Sequence, residues 1–521
     1  MAEVGLATKL IQITDLHLSD RADTPATDAL RWAIDTCNRL APDLVAFTGD
    51  MTTYGTVDAA RLFLDQATRL TVPWAFTPGN AELRSDGAMT VLAEHASHRT
   101  VVSDGIRFLL PDTSSGRISL LDRSLLESGA KSGGPLAILT HYPMDTLEAE
   151  SRSWIEAWLS DHSVELYLAG HRHFTRSRKI NGCLEIITRG LDPDKAFGGP
   201  PGISLFERRA DGLWSEQVIS WPHGRDLLPA ETDHSPVGWS IHGDPVETVR
   251  ETFEFGLNVL ELRPRELDYD IKTTRDELAR LRDDRSVYLS WHLPSLSWDT
   301  GSSAITGQDE IARQVDHARS CGVNAFTVHV PQIGADLMDS GNEPWQAFLI
   351  AFESAFKDAI DDDVRLSIEN VHNNPGTPIA RESRKFATRI EEYEAWIDSV
   401  DTRMGSDKSR IGAHFDVGHA RNNGELGNFQ PLGDWYARIG HRITGYHIHQ
   451  VRPHEETRKL TNHRDLLSIY DRTVSYAGFF HAWSKRQVNR APLFVEIRIA
   501  EERRRTTKLF QKLFSASELS L

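Results

Sequence analysis

Cysteine is scarce in this chain. Its 521 residues hold only Cys37, Cys183 and Cys321, far apart and without a CxxC pair. That sets aside a disulfide framework and a cysteine zinc site, and it fits a reducing compartment. No apolar run approaches the ~18 residues that a membrane span needs. The opening MAEVGLATKLIQITDLHLSD lacks the basic-then-apolar order of a secretory signal, so the expected location is the cytoplasm. There is no repeat of fixed period and no low-complexity tract. Positive charge is also in deficit, with 58 Lys and Arg against 75 Asp and Glu, a formal net charge of −17. Such a balance disfavours a broad grip on nucleic acid, which rests on cations neutralising phosphates. It is a balance that metal-binding proteins accumulate, because carboxylates serve as ligands.

A single hydrophobic core stops growing near ~250–300 residues, so two domains are expected. The segment WPHGRDLLPAETDHSP is rich in Pro, Asp and His and carries no apolar periodicity. We therefore read a first domain over 1–222, a linker over 223–236 and a second domain over 237–521. In the first domain KLIQIT, LVAFT, WAFTP, RFLLP, LAILTH, LYLAGH and LEIIT read as strands, and 27–40 and 57–70 as amphipathic helices. The later strands sit close together with few helices between them, which suggests two stacked sheets flanked by helices. In the second domain eight strand-like runs (GWSIHG, NVLELR, VYLSWH, AFTVHV, RLSIEN, IGAHFD, ITGYHI and LFVEIR) alternate with helical patterns. The helical patterns fall at 247–255, 309–320, 345–360, 390–400 and 466–477. That rhythm predicts a closed (β/α)8 barrel, with an open doubly wound sheet as the alternative.

Five groups of polar residues stand just after apolar runs of the first domain. They are Asp15 with His17, Asp50 after Gly49, Asn80 after Gly79, His141, and His171 with His173 after Gly170. In extended chain, residues i and i+2 face the same way, so each D-x-H or H-x-H pair can address one ion. Strand ends converge on one rim of a sheet. The mixture of carboxylate, imidazole and amide suits Mn, Fe or Zn. Two such ions ~3.5–4 Å apart can bind a phosphate, activate water and stabilise a leaving oxygen.

These motifs (DLH, GD, GN, THYP, GHRH) resemble the calcineurin-like metallophosphoesterases over residues 8–220. The resemblance implies a four-layer αββα sandwich. One ion would take Asp15, His17, Asp50 and His173, and the other Asp50, Asn80, His141 and His171. Asp50, Asn80 and His141 would carry catalysis. The family usually has a histidine directly after the asparagine to assist the leaving group, and here that residue is Ala81. Either another acid replaces it, with His95, His98 and Glu82 as candidates, or the enzyme is weakened. The first reading is preferred.

The second domain also gathers metal-competent groups at its strand ends: Glu261, His292, His329, Glu369, Asp416 with His419, His447 with His449, and Glu496. Active sites of such barrels lie at the carboxyl ends of the strands. NVLELR, SWHLP, SIEN, FDVGHA, GYHIHQ and LFVEIR resemble the xylose-isomerase-like barrels, which include sugar phosphate isomerases and epimerases and apurinic endonucleases. The resemblance implies that Glu369, Asp416, His447 and Glu496 hold one metal, with the two glutamates as an acid/base pair. In the endonuclease branch His292 and His329 join Glu369 on a second ion, and His419 joins a D-x-H pair on a third. The nearest such pair here is Thr461-Asn462-His463, with threonine in place of aspartate, which speaks against the third ion and against that branch. One to three ions, Zn or Mn, are expected, and Glu261, His449 and His463 are assigned to substrate binding.

The expected function is hydrolysis of a small phosphate ester (cyclic, sugar or nucleotide) coupled to an isomerase- or epimerase-like barrel. A DNA-processing phosphodiesterase and a weakened metal-binding scaffold are the alternatives. The loops 292–306, 331–343 and 372–385 would set specificity, with Arg381 and Arg384 as candidate phosphate ligands.

Overall fold

The computed structural model describes residues 6–95, 99–223, 236–264, 269–361, 363–405, 410–454, 456 and 460–514. They fall into two compact units, Met1–His223 with Ile469–His481, and Gly224–Ser468 with Ala482–Leu521. The expected linker lies, except for its two end residues, outside the described residues, as does His98. Among the described residues no helix is long and apolar enough to cross a membrane.

The first unit is built on the two-residue period of its strands. On Leu6–Ile13, Leu10 enters the core between two sheets, and its neighbour Ile11 enters the core beneath the helices. Strands so covered on both faces read as unbroken apolar runs, as Leu44–Thr48 does. The five-stranded sheet runs Trp214–Ser220, Gly202–Arg209, Leu6–Ile13, Leu44–Thr48, Trp74–Thr77. The six-stranded sheet runs Thr100–Ser103, Ile106–Leu109, Leu136–Leu139, Leu166–Ala169, Cys183–Ile187, Arg176–Ile180. Helices Pro25–Leu40 and Val57–Ala67 cover the outer face of the first sheet, and Leu120–Lys131 and Ala149–Asp161 that of the second. The result is the expected αββα sandwich. The latter two helices fill the stretch expected to hold few. Thr24 caps the first helix through the Thr27 N–H, and Pro25 occupies its first turn.

The second unit closes as an eight-stranded parallel barrel. Its strands are Val237–His242, Val259–Arg263, Tyr288–His292, Ala325–His329, Arg365–Glu369, Ile411–Asp416, Ile443–Ile448 and Leu493–Val495, the last pairing back onto the first. Alternate positions such as Trp239 and Phe326 are buried against Phe255, which caps the helix Pro245–Glu254, and Phe356, which ends the helix Glu343–Phe356. Intervening positions meet inside the barrel, where Ser240, Ser290 and Thr327 donate to Glu261.

Of residues 466–477, expected as a helix, only Ala477 is helical, as the first residue of the helix Ala477–Ser484. Local side chains take the backbone donors that a helix would use. Asp471 accepts from Thr473 N–H at 3.1 Å, and the Ser475 hydroxyl accepts from Ala477 N–H at 3.3 Å. The Ser475 N–H donates to the Asp194 carbonyl at 3.0 Å, which ties this segment into the first unit.

Candidate metal centres

In the first unit the donors stand two to four residues beyond their strands, in turns that reverse the backbone. Asp15, His17, Asp50, His171 and His173 all have left-handed φ, between 49° and 66°. Side chains adopt that conformation reluctantly, and its concentration here marks a place where geometry has overridden local preference. Close approach is paid for with glycine. A Cβ on Gly49 would stand 2.5 Å from the His141 ring, and one on Gly170 would stand 2.6 Å from an Asp15 oxygen.

The donors form two groups. In one, His173 Nε2 is 3.3 Å from Asp15 Oδ1 and 3.3 Å from His17 Nε2, which is 3.5 Å from Asp50 Oδ2. In the other, His141 Nε2 is 3.4 Å from Asp50 Oδ1 and 3.2 Å from Asn80 Oδ1, which is 3.0 Å from His171 Nδ1. Asp50 therefore gives one oxygen to each group. Two ligand atoms each ~2.1 Å from one ion, at right-angled to tetrahedral geometry, stand about 3.0–3.4 Å apart, so these separations fit two divalent ions. The outer contacts agree. His141 Nδ1 meets the Thr48 carbonyl at 2.9 Å, leaving Nε2 to ligate, and Asp15 accepts the His171 N–H and the Thr14 hydroxyl.

Burial holds His17 and His173 well below the ordinary histidine value, so both are neutral and able to ligate. Burial, reinforced by Asp50, raises Asp15 to about 7. Burial opposes a charge on His141, but the Asp50 and Asp15 carboxylates raise it to about 9.

The candidate replacement acids fare differently. Glu82 is fully enclosed. It accepts the N–H groups of Asp50 at 3.0 Å, Thr52 at 2.8 Å and Gly79 at 2.7 Å, so it braces the turn that carries Asp50. His95 is an exposed residue at the end of the helix Ala88–Glu94. Two neighbours of the site were not anticipated. Tyr142 stacks on His171 with centroids 4.2 Å apart, and the charge of buried Lys195 is felt at His17 and His173. Tyr142 belongs to the THYP motif and was open to notice. Lys195 sits in a loop with no sequence signal, placed by the hydrogen bond from Asp192 N–H to the Asp15 carbonyl.

In the barrel the central carboxylate is Glu369. Its Oε2 is 2.8 Å from His292 Nε2 and 3.2 Å from His329 Nε2, and its Oε1 is 3.1 Å from His447 Nδ1. His447 Nδ1 is also 3.2 Å from Glu496 Oε2 and 3.8 Å from Asp416 Oδ2. The division of oxygens seen at Asp50 recurs, with one group of Glu369, Asp416, His447 and Glu496 and another of Glu369, His292 and His329. Glu496 Oε2 is buried without a hydrogen bond, as an oxygen aimed at a cation would be. Glu261 lies beneath the first group and meets His447 Nε2 at 2.6 Å, which leaves Nδ1 to face the carboxylates. His419, His449 and His463 form a third cluster. Of the loop arginines, Arg381 is bound to the Ala335 and Met338 carbonyls, and Arg384 to Glu392.

Residues 249–512 match the family described as xylose isomerase-like TIM barrel, and residues 8–174 match the calcineurin-like phosphoesterases. A curated relative from Moraxella catarrhalis (strain BBH18), named "Probable cyclic nucleotide phosphodiesterase", is 24% identical over 173 residues, covering 32% of this chain and 57% of that one. The chain thus spans little more than half the length of that relative. Among solved structures, a dimetal phosphatase from Danio rerio shares 14% identity, covering 42% of this chain and 100% of that one, with a TM-score of 0.33. A xylose isomerase domain protein from Planctomyces limnophilus shares 11%, covering 53% and 93%, with a TM-score of 0.36.

Proposed function

We propose, from the premise that this chain belongs to the xylose isomerase-like TIM barrel family and carries a calcineurin-like phosphoesterase domain ahead of the barrel, that its first unit is a two-metal phosphodiesterase acting on a small phosphate ester. The observation that carries the reading is the division of Asp50 between two donor groups. Two bound divalent ions supply the phosphate grip and the activated water. The protein's own residues do the rest. Asp15, His17 and His173 would hold one ion and Asn80, His141 and His171 the other, with one Asp50 oxygen turned to each group. Thr48 and Glu82 hold His141 and Asp50 in place. With Ala81 where a proton-donating histidine would stand, and Glu82 turned to backbone, the first unit favours diesters whose leaving group departs as a weak base. The name of the Moraxella relative supports a cyclic or nucleotide diester as the first class to screen.

For the barrel we propose binding of a related sugar phosphate at Glu369, Asp416, His447 and Glu496, with the two glutamates moving a proton next to a carbonyl. A second reading, phosphodiester hydrolysis in the barrel, is favoured by one observation: His292 and His329 share the second oxygen of Glu369. Three buried, unpaired thiols support a cytoplasmic setting. The test is hydrolysis of cyclic, sugar and nucleotide diesters by wild type, Asp50→Ala and Asp416→Ala. Loss in Asp50→Ala alone supports a hydrolytic first unit. Loss in Asp416→Ala alone moves the chemistry to the barrel.

A further inference from the structure

We propose that Arg472 forms an anion subsite beside the first unit's metal centre, one that selects phosphate esters carrying a second anionic group. This rests on the two-metal reading of that centre and names its substrate class. Arg472 lies far along the chain, within the stretch that matches the barrel family, yet Ile469–His481 belongs to the first unit. Four contacts seat that segment. The Tyr470 hydroxyl is 2.7 Å from His223 Nε2, and the Ser475 N–H donates to the Asp194 carbonyl at 3.0 Å. His481 Nε2 is 2.9 Å from Asp28 Oδ2. Gly478 lies so close to Asp194 that a Cβ there would stand 2.4 Å from its Oδ1. The Tyr476 N–H donates to the Ile469 carbonyl at 2.8 Å, which closes the loop with Arg472 near its apex.

The backbone on which this loop docks itself packs on the ligands. The Leu191 and Asp192 N–H groups donate to the carbonyls of Thr14 and Asp15 at 3.0 and 2.9 Å. A Cβ on Gly190 would stand 3.2 Å from His173 Nδ1. The short path from Asp15 through Asp192 and Asp194 to Ser475 leaves Arg472 within three residues of the last contact, and its charge reaches the ligands. Burial and the charge on His141 bring His171 down to about 4, and Arg172 and Arg472 add to that shift. Burial and Lys195 lower His173, and Arg472 contributes there as well.

Charge balance gives the subsite its use. Two divalent ions, offset by the Asp15 and Asp50 carboxylates, retain a charge that a diester and a bound hydroxide cancel. Lys195 and Arg84, whose charges are also felt at His17, are engaged. Lys195 Nζ is 3.6 Å from Asp192 Oδ2, and the Arg84 guanidinium donates to the Thr53 carbonyl at 2.6 Å. Arg472 is exposed, and among the described residues no hydrogen bond or ion pair holds its side chain. A guanidinium is a planar fork that matches a carboxylate or phosphate. A substrate with a second anionic group supplies that partner, whereas a simple diester leaves the arginine in water.

Binding of probes that cannot be hydrolysed reads the subsite without turnover. Manganese-loaded full-length protein is titrated by calorimetry with methylphosphonate, and with phosphonoacetate and 3-phosphonopropionate, which add a carboxylate at two reaches. In wild type, one of the two carboxylate-bearing probes is expected to bind about tenfold tighter than methylphosphonate or better. Arg472→Gln removes the charge of an exposed side chain and spares the fold, and it is expected to bring that ratio near one. Arg472→Lys is expected to keep part of it, and Asp50→Ala to abolish it. A ratio near one in wild type, a ratio unchanged in Arg472→Gln, or a ratio retained in Asp50→Ala each overturns the proposal. The expected ratios in a protein that hydrolyses no phosphodiester would uphold the subsite and overturn only the hydrolytic reading of the first unit.

Discussion

The two units bring donors together by different means. In the barrel, His292, His329, Glu369 and Asp416 are the last residues of their own strands, and register does the gathering, with His329 opposite Glu369 and Asp416 opposite His447. In the sandwich the donors stand beyond the strands, five of the seven with left-handed backbone, in turns packed against glycines. Both arrive at a carboxylate shared between two groups of imidazoles. The difference teaches where each centre is fragile. The barrel's centre depends on strand pairing, and the sandwich's on a few turns of unfavourable backbone.

The largest effect is expected from Asp50→Ala, which removes both bridging oxygens. Aryl phosphodiester hydrolysis should fall about a thousandfold or more, read as kcat/KM, with loss of two ions per chain. Gly49→Ala should follow, because its Cβ would meet the His141 ring at 2.5 Å. Relieving that contact moves the ring by about 1 Å, and a misplacement of that order costs about a hundredfold in rate. Normal activity in this variant would mean that the turn tolerates more than its geometry suggests. Glu82→Ala leaves three buried N–H groups of the Asp50 turn without their acceptor, and unfolding by denaturant should show a loss of roughly 3 kcal/mol, with Glu82→Gln losing less.

Ion loading of the first unit should release protons. Asp15, at about 7, must lose its proton to ligate, and so must His141, at about 9. Apparent affinity therefore rises with pH through 7 and again toward 9, by up to about tenfold per pH unit for each proton displaced. Calorimetry in buffers of different ionisation enthalpy measures the release. The smallest effect is expected from Glu369→Gln, which should empty the barrel's centres and change aryl phosphodiester hydrolysis by no more than about twofold, as for sites without shared partners. A large loss there would break the comparison and assign hydrolysis to the barrel.

Much of this arrangement was legible in the linear chain. The donors follow apolar runs because buried strands end where polar residues begin, and eight such runs alternating with helices mark a barrel. What escaped notice has physical reasons. Arg176–Ile180 alternates exposed and half-buried positions at a sheet edge, so its charged residues hide a strand. Residues 466–477 carry helical spacing, but side-chain capping by Asp471 and Ser475 and the bond to Asp194 draw them elsewhere. Glu82 and Ala81 were noticed side by side, yet only three dimensions show that Glu82 faces backbone. His449 was named beside His447 at a strand end, but its neighbours His419 and His463 come from other segments, which spacing does not show.

The most direct test of the account is anomalous diffraction from crystals of manganese- or zinc-loaded protein at the Asp50 turn. The account predicts two peaks ~3.5–4 Å apart, one beside each Asp50 oxygen, the first flanked by Asp15, His17 and His173 and the second by Asn80, His141 and His171. A single peak, or none, at fully loaded Asp50 would contradict it.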